Sequence, residues 1–202
     1  MLNKDKTLAH FCAELASSSP SPGGGGAAAL GGALAAALGE MVVSLTVGKK
    51  KYASRESELL TLGERAAVLR EDLLKMIDGD AEAFAPLARA YSLPKDAPDR
   101  TEILEEALRR AAASPVRIAE LCCSVIELME GCAASGSLLV LSDAATGAAL
   151  AEGALEGAVI NVKVNTALMR NRSFASALND RMDAMRREYA ARAQAVRRSL
   201  GY

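Results

Sequence analysis

The sequence predicts an all-α fold: a helical bundle of about six helices around a central helix rich in glycine and alanine. Three observations point there. Half of the 202 residues are hydrophobic but only 3% are aromatic, so Ala, Leu, Val and Met must build the core. Alanine is abundant and β-branched runs are scarce, which favours helix over strand. Apolar residues recur at three- and four-residue spacing along most of the chain, the period of an amphipathic helix. No long linker or internal repeat divides the sequence, so residues 1–202 are expected to form a single domain.

The elements follow in order. Residues 5–17 are read as a first helix with Leu8, Phe11, Cys12 and Leu15 on one face. Ser17 to Gly26 is read as a loop, and 27–47 as a second, very apolar helix. Gly48 stops it, and Lys49, Lys50 and Lys51 complement the dipole at its C-terminal end. Residues 54–92 have helical period, with Gly63, Gly79 and Pro86 as candidate bends. The segment 93–100, LPKDAPDR, is a loop. Thr101 opens a helix with Glu102, Glu105 and Glu106 near its start, and Pro115 is expected to kink or restart it. Leu138–Leu141 reads as a buried connector. Ser142 or Asp143 caps a helix reaching about Ala167. Ser173 caps the last helix, whose apolar stripe includes Phe174, Leu178, Met182, Met185, Tyr189 and Val196.

Composition excludes several function classes. The formal net charge of −1 gives no global basic surface for nucleic acid. With no tryptophan and few aromatics, stacking on bases is not expected either. The sequence contains one histidine, His10, on a short amphipathic segment where a surface role fits best. A histidine-based metal site or a Ser-His-Asp triad would depend on it, so any chemistry is expected to rest mainly on carboxylates, lysines, amides and backbone. Cys12, Cys122, Cys123 and Cys132 form no CxxC pair, which suits reduced thiols in a cytoplasmic protein. The N-terminus mixes charge and apolar residues, unlike a secretory signal.

The segment SPGGGGAAALGGALAAALGEMVVSLTVGKKKY, residues 21–52, carries the strongest local signal. Glycines there can serve tight packing, or can let backbone N–H groups approach a ligand at a helix N-terminus. Nucleotide binding is disfavoured: no strand precedes the glycines and no GK[ST] follows them. The apolar run is long enough to span a bilayer. Against that reading, Gly and Ala are weakly hydrophobic, Glu40 would lie inside the run, and no second span is apparent. A buried helix of a protein without a membrane partner is expected. The lysine triplet either caps the helix or meets an anionic substrate.

Two further groups carry polar chemistry. Asp78 and Asp80 are two positions apart, so they do not share a helix face, and only one is expected to point inward. Asn161 and Asn165, four apart among Ile160, Val162 and Val164, do share a face. Buried amides there need partners, supplied by another helix or by a ligand.

Several segments then match one family in the same order: residues 17–52, IDGDAEAF (77–84), LPK (93–95), ASPVRIAE (113–120), GSLLVLSD (136–143) and INVKVN (160–165). Together they resemble the cyclodeaminase/cyclohydrolase family of folate enzymes, over nearly the whole chain. This family comprises the cyclodeaminase domain of formiminotransferase-cyclodeaminase and stand-alone methenyltetrahydrofolate cyclohydrolases. The resemblance implies an all-helical homodimer, no metal, no cofactor, and a tetrahydrofolate substrate carrying a one-carbon unit. The family's second aspartate in this segment is catalytic, which falls on Asp80. Gly79 departs from the family's alanine, and DAPDR after LPK departs from an N-T-x-E-E pattern. The resemblance also implies substrate-binding roles for Pro22, Gly23, Gly24, Gly25, Lys49, Lys51, Lys95, Asp143, Asn161 and Asn165. Hydrolysis of the methenyl bridge is expected ahead of formimino cyclodeamination, because the GGGGAAA form is similar to the stand-alone enzymes.

Overall fold

The computed structural model describes residues 2–201, and among these every regular element is helical. Six α-helices follow in chain order: α1 (Leu8–Leu15), α2 (Gly24–Ser44), α3 (Glu56–Tyr91), α4 (Arg100–Ser135), α5 (Leu141–Leu168) and α6 (Arg172–Arg198). Short 3-10 turns at Asn3–Asp5, Lys50–Arg55 and Leu138–Val140 connect or precede them.

α2 is the central helix, packed on α3, α4 and α5. Its small residues explain how it fits there. A Cβ on Gly39 would come within 2.8 Å of Leu128 Cδ2 and 2.9 Å of Met129 Cε, so only hydrogen leaves room for α4. Around it Leu73, Ile118, Ile126, Leu128, Met129 and Leu155 are fully buried. Each contributes about 1.5–3 kcal/mol relative to exposure. A smaller apolar cluster joins Leu87, Leu108, Met169 and Ala175 where α3 and α4 meet the α5–α6 turn.

Polar contacts fix the outer helices. Arg192 of α6 forks onto Glu130 of α4, with 2.9 and 2.5 Å bonds. Lys163 of α5 bonds Asp183 of α6 at 2.6 Å. Buried Thr46 accepts the Ser137 N–H at 2.9 Å and donates to Val42 O at 2.6 Å, tying the end of α2 to the start of α5. Glu40 is half-buried and paired with Arg70 of α3, so its charge in the apolar run is compensated laterally.

Several expected details are corrected. The glycines read as loop form the first turn of α2. The structure is helical through Gly63, Gly79 and Pro86 in α3 and through Pro115 in α4, because each proline removes one hydrogen bond and tertiary packing holds the rest. The connector at 138–141 is not buried: Leu138 and Leu139 are 69% and 85% exposed, and Val140 alone among the 3-10 residues turns inward. α5 begins at Leu141 with neither Ser142 nor Asp143 as its cap. Asn171, not Ser173, caps α6 by accepting the Phe174 N–H at 3.0 Å. Phe174 itself is 42% exposed. A second helix, within 138–168, joins Gly24–Ser44 as long and apolar enough to cross a membrane, contrary to the single span expected. The two lie side by side in the bundle and each buries one face in its core.

Candidate active site

The site begins with the opening turn of α2. Gly23 is its N-cap, with extended backbone and no side chain to satisfy the first N–H groups. Such a turn attracts an anion. The anion here is Asp80, carried by α3. Its carboxylate lies flat on Gly25, where any Cβ would collide with both its oxygens, and the Gly26 N–H faces it. The glycines are therefore a contact surface for a carboxylate and belong to the helix. Burial raises the Asp80 pKa above the usual carboxylate range, while the Ser114 hydroxyl and the Gly26 N–H offset part of the rise. A raised, half-buried carboxylate in a cleft fits proton transfer.

Asp78, two residues earlier, points elsewhere. It accepts the Asn3 N–H at 2.6 Å and tethers the N-terminal segment to α3. The split between an inward and an outward aspartate is the one that their spacing demands.

Asp80 lines a partly open cavity of about 150 Å³ together with Ser21, Gly24, Phe84, Pro115 and Asn161. A cavity of that size holds one ring of roughly benzene dimensions. Phe84, one turn beyond Asp80, supplies an apolar wall. Pro115 has no N–H to give the carbonyl of Ala111, which also lines the cavity, so that acceptor lacks its usual intrahelical donor. Asn161 Nδ2 donates to Gly157 O at 2.8 Å and Asn165 Nδ2 donates to Asn161 O at 3.0 Å. These bonds fix both amides with their Oδ1 atoms free of protein donors. Ser21 Oγ is buried without a hydrogen-bond partner, whereas the buried Ser114 hydroxyl faces the Asp80 carboxylate. Buried hydroxyls are normally paired, so the orphan Ser21 hydroxyl at the cavity marks a place for a polar ligand.

Of the residues singled out in the sequence, the cavity brings together Gly23, Gly24, Gly25, Asp80, Asn161 and Asn165. Pro22 is buried behind it and packs toward Gly26. The rest lie apart from it. Lys49 and Lys51 are exposed beyond the far end of α2, about 30 Å from Gly24 at 1.5 Å per residue. Asp143 lies in the first turn of α5, about 27 Å along that helix from Asn161. Lys95 is exposed on the α3–α4 loop, two residues beyond Leu93, which lines a separate surface groove with Arg89 and Arg110. Ser21, Phe84, Ser114 and Pro115 received no role from the sequence. Phe84 lies in the IDGDAEAF segment and Ser114 and Pro115 in ASPVRIAE, while Ser21 precedes the glycines, and the part each plays rests on contacts between helices.

The three buried cysteines play no part in the cavity. Burial pushes the Cys123 and Cys132 thiols up to about 12, and Cys122 higher, so they stay protonated and inert. Exposed His10 pairs with Glu14 at 3.1 Å. Among the described residues, no group of three His, Cys, Asp or Glu is placed to hold a metal ion.

Fold and cavity define an all-helical protein with a carboxylate-centred site at a helix N-terminus. The chain belongs to the formiminotransferase-cyclodeaminase family, whose model matches residues 7–184. It is 41% identical over 175 residues to methenyltetrahydrofolate cyclohydrolase of Methylorubrum extorquens, covering 85% of this chain and 84% of that protein. It is 33% identical over 200 residues to rat formimidoyltransferase-cyclodeaminase, covering 97% of this chain but 37% of the longer animal protein. The fold matches the crystal structure of formiminotetrahydrofolate cyclodeaminase from Thermotoga maritima, with TM-score 0.86, 25% identity, and 98% and 99% of the two chains covered.

Proposed function

We propose that this chain is a methenyltetrahydrofolate cyclohydrolase, a folate one-carbon enzyme that opens the methenyl bridge to formyltetrahydrofolate. The single observation that carries the chemistry is Asp80: a half-buried carboxylate with raised pKa, facing a partly open cavity beside the unpaired Ser21 hydroxyl. The methenyl bridge is an amidinium cation. Its arrival beside Asp80 favours the ionised carboxylate, which reverses the effect of burial and makes the group a base when it is needed. Water adds to the bridge carbon as Asp80 takes its proton. The bond from that carbon to one nitrogen then breaks, leaving the formyl group on the other nitrogen and releasing a proton overall. Such general base catalysis is worth about 10²–10⁴-fold.

The free Oδ1 atoms of Asn161 and Asn165 and the N–H groups of Gly24 and Gly25 are the proposed binding groups for the pterin ring. Phe84 covers its apolar face. The cavity volume admits one ring of the bicyclic pterin and leaves the remainder of the substrate outside, where anionic carboxylates need cations. No metal or cofactor enters the proposed reaction. Residues 1–202 act as one domain in this reading. The setting is cytoplasmic, a placement supported by four free cysteines, which a reducing compartment preserves.

Formiminotetrahydrofolate cyclodeamination is the second reading, favoured by the close match to the Thermotoga maritima fold. There a folate nitrogen attacks the formimino carbon, and Asp80 delivers the proton to departing ammonia. Loss of methenyltetrahydrofolate absorbance, run beside ammonia release from the formimino compound, separates the two. Turnover of the methenyl substrate without ammonia chemistry supports the first reading. Ammonia release alone supports the second. Turnover of neither overturns both.

A further inference from the structure

Among the described residues the buried polar side chains are Thr46, Ser114, Ser135, Ser137 and Thr166. All but one serve the fold. Thr46 accepts the Ser137 N–H and Ser137 Oγ accepts the Leu139 N–H. Ser135 donates to Glu58 and Thr166 to Asn179, each at 2.7 Å. Ser114 has no such bond. A serine or threonine inside a helix commonly donates back to the carbonyl four residues earlier, as Thr61 and Thr146 do here at 3.0 and 2.8 Å. Ser114 makes no bond to the Arg110 carbonyl. Its hydroxyl instead faces the Asp80 carboxylate across the contact between α4 and α3.

An alanine at this position would fill nearly the same space without burying a hydroxyl. The hydroxyl is therefore explained by what it faces. Ser114 is 6% exposed and does not line the cavity, although Ala111 and Pro115 of the same helix do. A group so placed reaches the substrate only through Asp80.

The other surroundings of Asp80 supply little to an ionised carboxylate. α2 presents Gly25, which packs flat against it, and the Gly26 N–H. α5 presents Asn161 and Asn165, whose Nδ2 groups bond carbonyls of their own helix. On α3 itself, Asp78 is turned to the N-terminal segment. Among the described residues no charged side chain acts on Asp80, so its ionised form depends on two donors, the Gly26 N–H and the Ser114 hydroxyl.

We propose that Ser114 is a positioning residue: its hydroxyl donates from α4 to the Asp80 carboxylate and holds it as the base that takes the proton from water. A hydrogen-bond donor favours the ionised carboxylate over the protonated one. Hydrolysis begins with Asp80 ionised, whereas in cyclodeamination Asp80 must carry a proton to the departing ammonia. The Ser114 contact therefore biases the site toward hydrolysis. That bias rests on the folate reading; the action of Ser114 on Asp80 does not.

The first test needs no substrate. In protein carrying carbon-13-labelled aspartate, the Asp80 carboxyl signal is identified by its loss in Asp80→Asn, and its titration midpoint is followed by NMR. Ser114→Ala should raise that midpoint by about one pH unit. Alanine suits a helix interior, so the fold is kept. Ser135→Ala is the control. It also removes a buried hydroxyl from α4, about 30 Å along the helix, and should leave the midpoint in place. Equal midpoints in wild type and Ser114→Ala, or the same rise in Ser135→Ala, overturn the proposal.

The second test reads activity. On methenyltetrahydrofolate, kcat/KM of Ser114→Ala should fall about tenfold on the acid limb and meet wild type at high pH. An acid limb that stays in place, or a loss of the same size at every pH, overturns the positioning role. On that limb the ratio of ammonia release from the formimino compound to methenyl turnover should rise in Ser114→Ala, and an unchanged ratio overturns the bias. A raised midpoint in Ser114→Ala with no folate turnover by wild type overturns the folate reading and upholds the action of Ser114 on Asp80.

Discussion

Replacing Gly25 with alanine should disable the enzyme while leaving it folded. A Cβ at this position falls about 1 Å inside ordinary contact with both Asp80 oxygens and its Cγ. α2 is held by α3, α4 and α5, so the carboxylate, not the backbone, must give way. A displacement near 1 Å at a reacting group costs about 10²-fold, so kcat/KM should fall by about that factor. Stability should change little, because alanine is intrinsically better than glycine in a helix by about 0.5–1 kcal/mol, which offsets the local crowding. The neighbouring Gly79→Ala is the control. Its Cβ would meet Met76 Cε at 3.7 Å, an ordinary contact. It should keep activity and raise stability by about 0.5–1 kcal/mol. The assay is loss of methenyltetrahydrofolate absorbance, with thermal melting by circular dichroism alongside. A Gly25→Ala protein within threefold of wild-type activity would refute the claim that the glycine turn positions Asp80.

Other substitutions probe the same structure. Asp80→Asn should melt at or above the wild-type temperature at pH 8. The folded pKa is raised, so the wild type binds the Asp80 proton more tightly when folded and loses stability as pH rises through the window above the unfolded value near 3.9. The advantage of the variant should shrink on acidification, and a variant less stable at pH 8 would contradict burial as the dominant effect. For the same reason the acid limb of the rate profile should lie above the ordinary carboxylate range. Thr46→Val leaves the buried Ser137 N–H without its acceptor and should cost about 1–3 kcal/mol in denaturant melts. Leu73→Ala empties a fully buried position against α2 and should cost about 2–5 kcal/mol.

The helical period was legible wherever one face of a helix is apolar, as in α3, α4 and α6, because burial alone sets that pattern. The start of α2 was not. Glycines 24–26 have poor intrinsic helix propensity, and they are helical because Asp80, more than fifty residues later, occupies the N-terminal turn. Pro86 and Pro115 break one local bond each but do not interrupt their helices, because long-range packing keeps the helix running. The exposed Leu138 and Leu139 looked like core residues, since hydropathy does not record which side of a molecule a residue faces. Within the site, Asp80, Asn161 and Asn165 were legible from their motifs. Ser21 and Ser114 were not, since the interest of one lies in having no partner and of the other in facing Asp80 from another helix, both properties of the packed structure. The lysines matched a family segment but lie at the far end of α2 from the cavity.

Asp80 is the centre of the functional proposal, so the most direct measurement compares wild type with Asp80→Asn on methenyltetrahydrofolate at saturating substrate. Wild type should consume the substrate, and the variant should be slower by about 10²–10⁴-fold with an unaltered fold. Equal rates for the two folded proteins would contradict a catalytic Asp80.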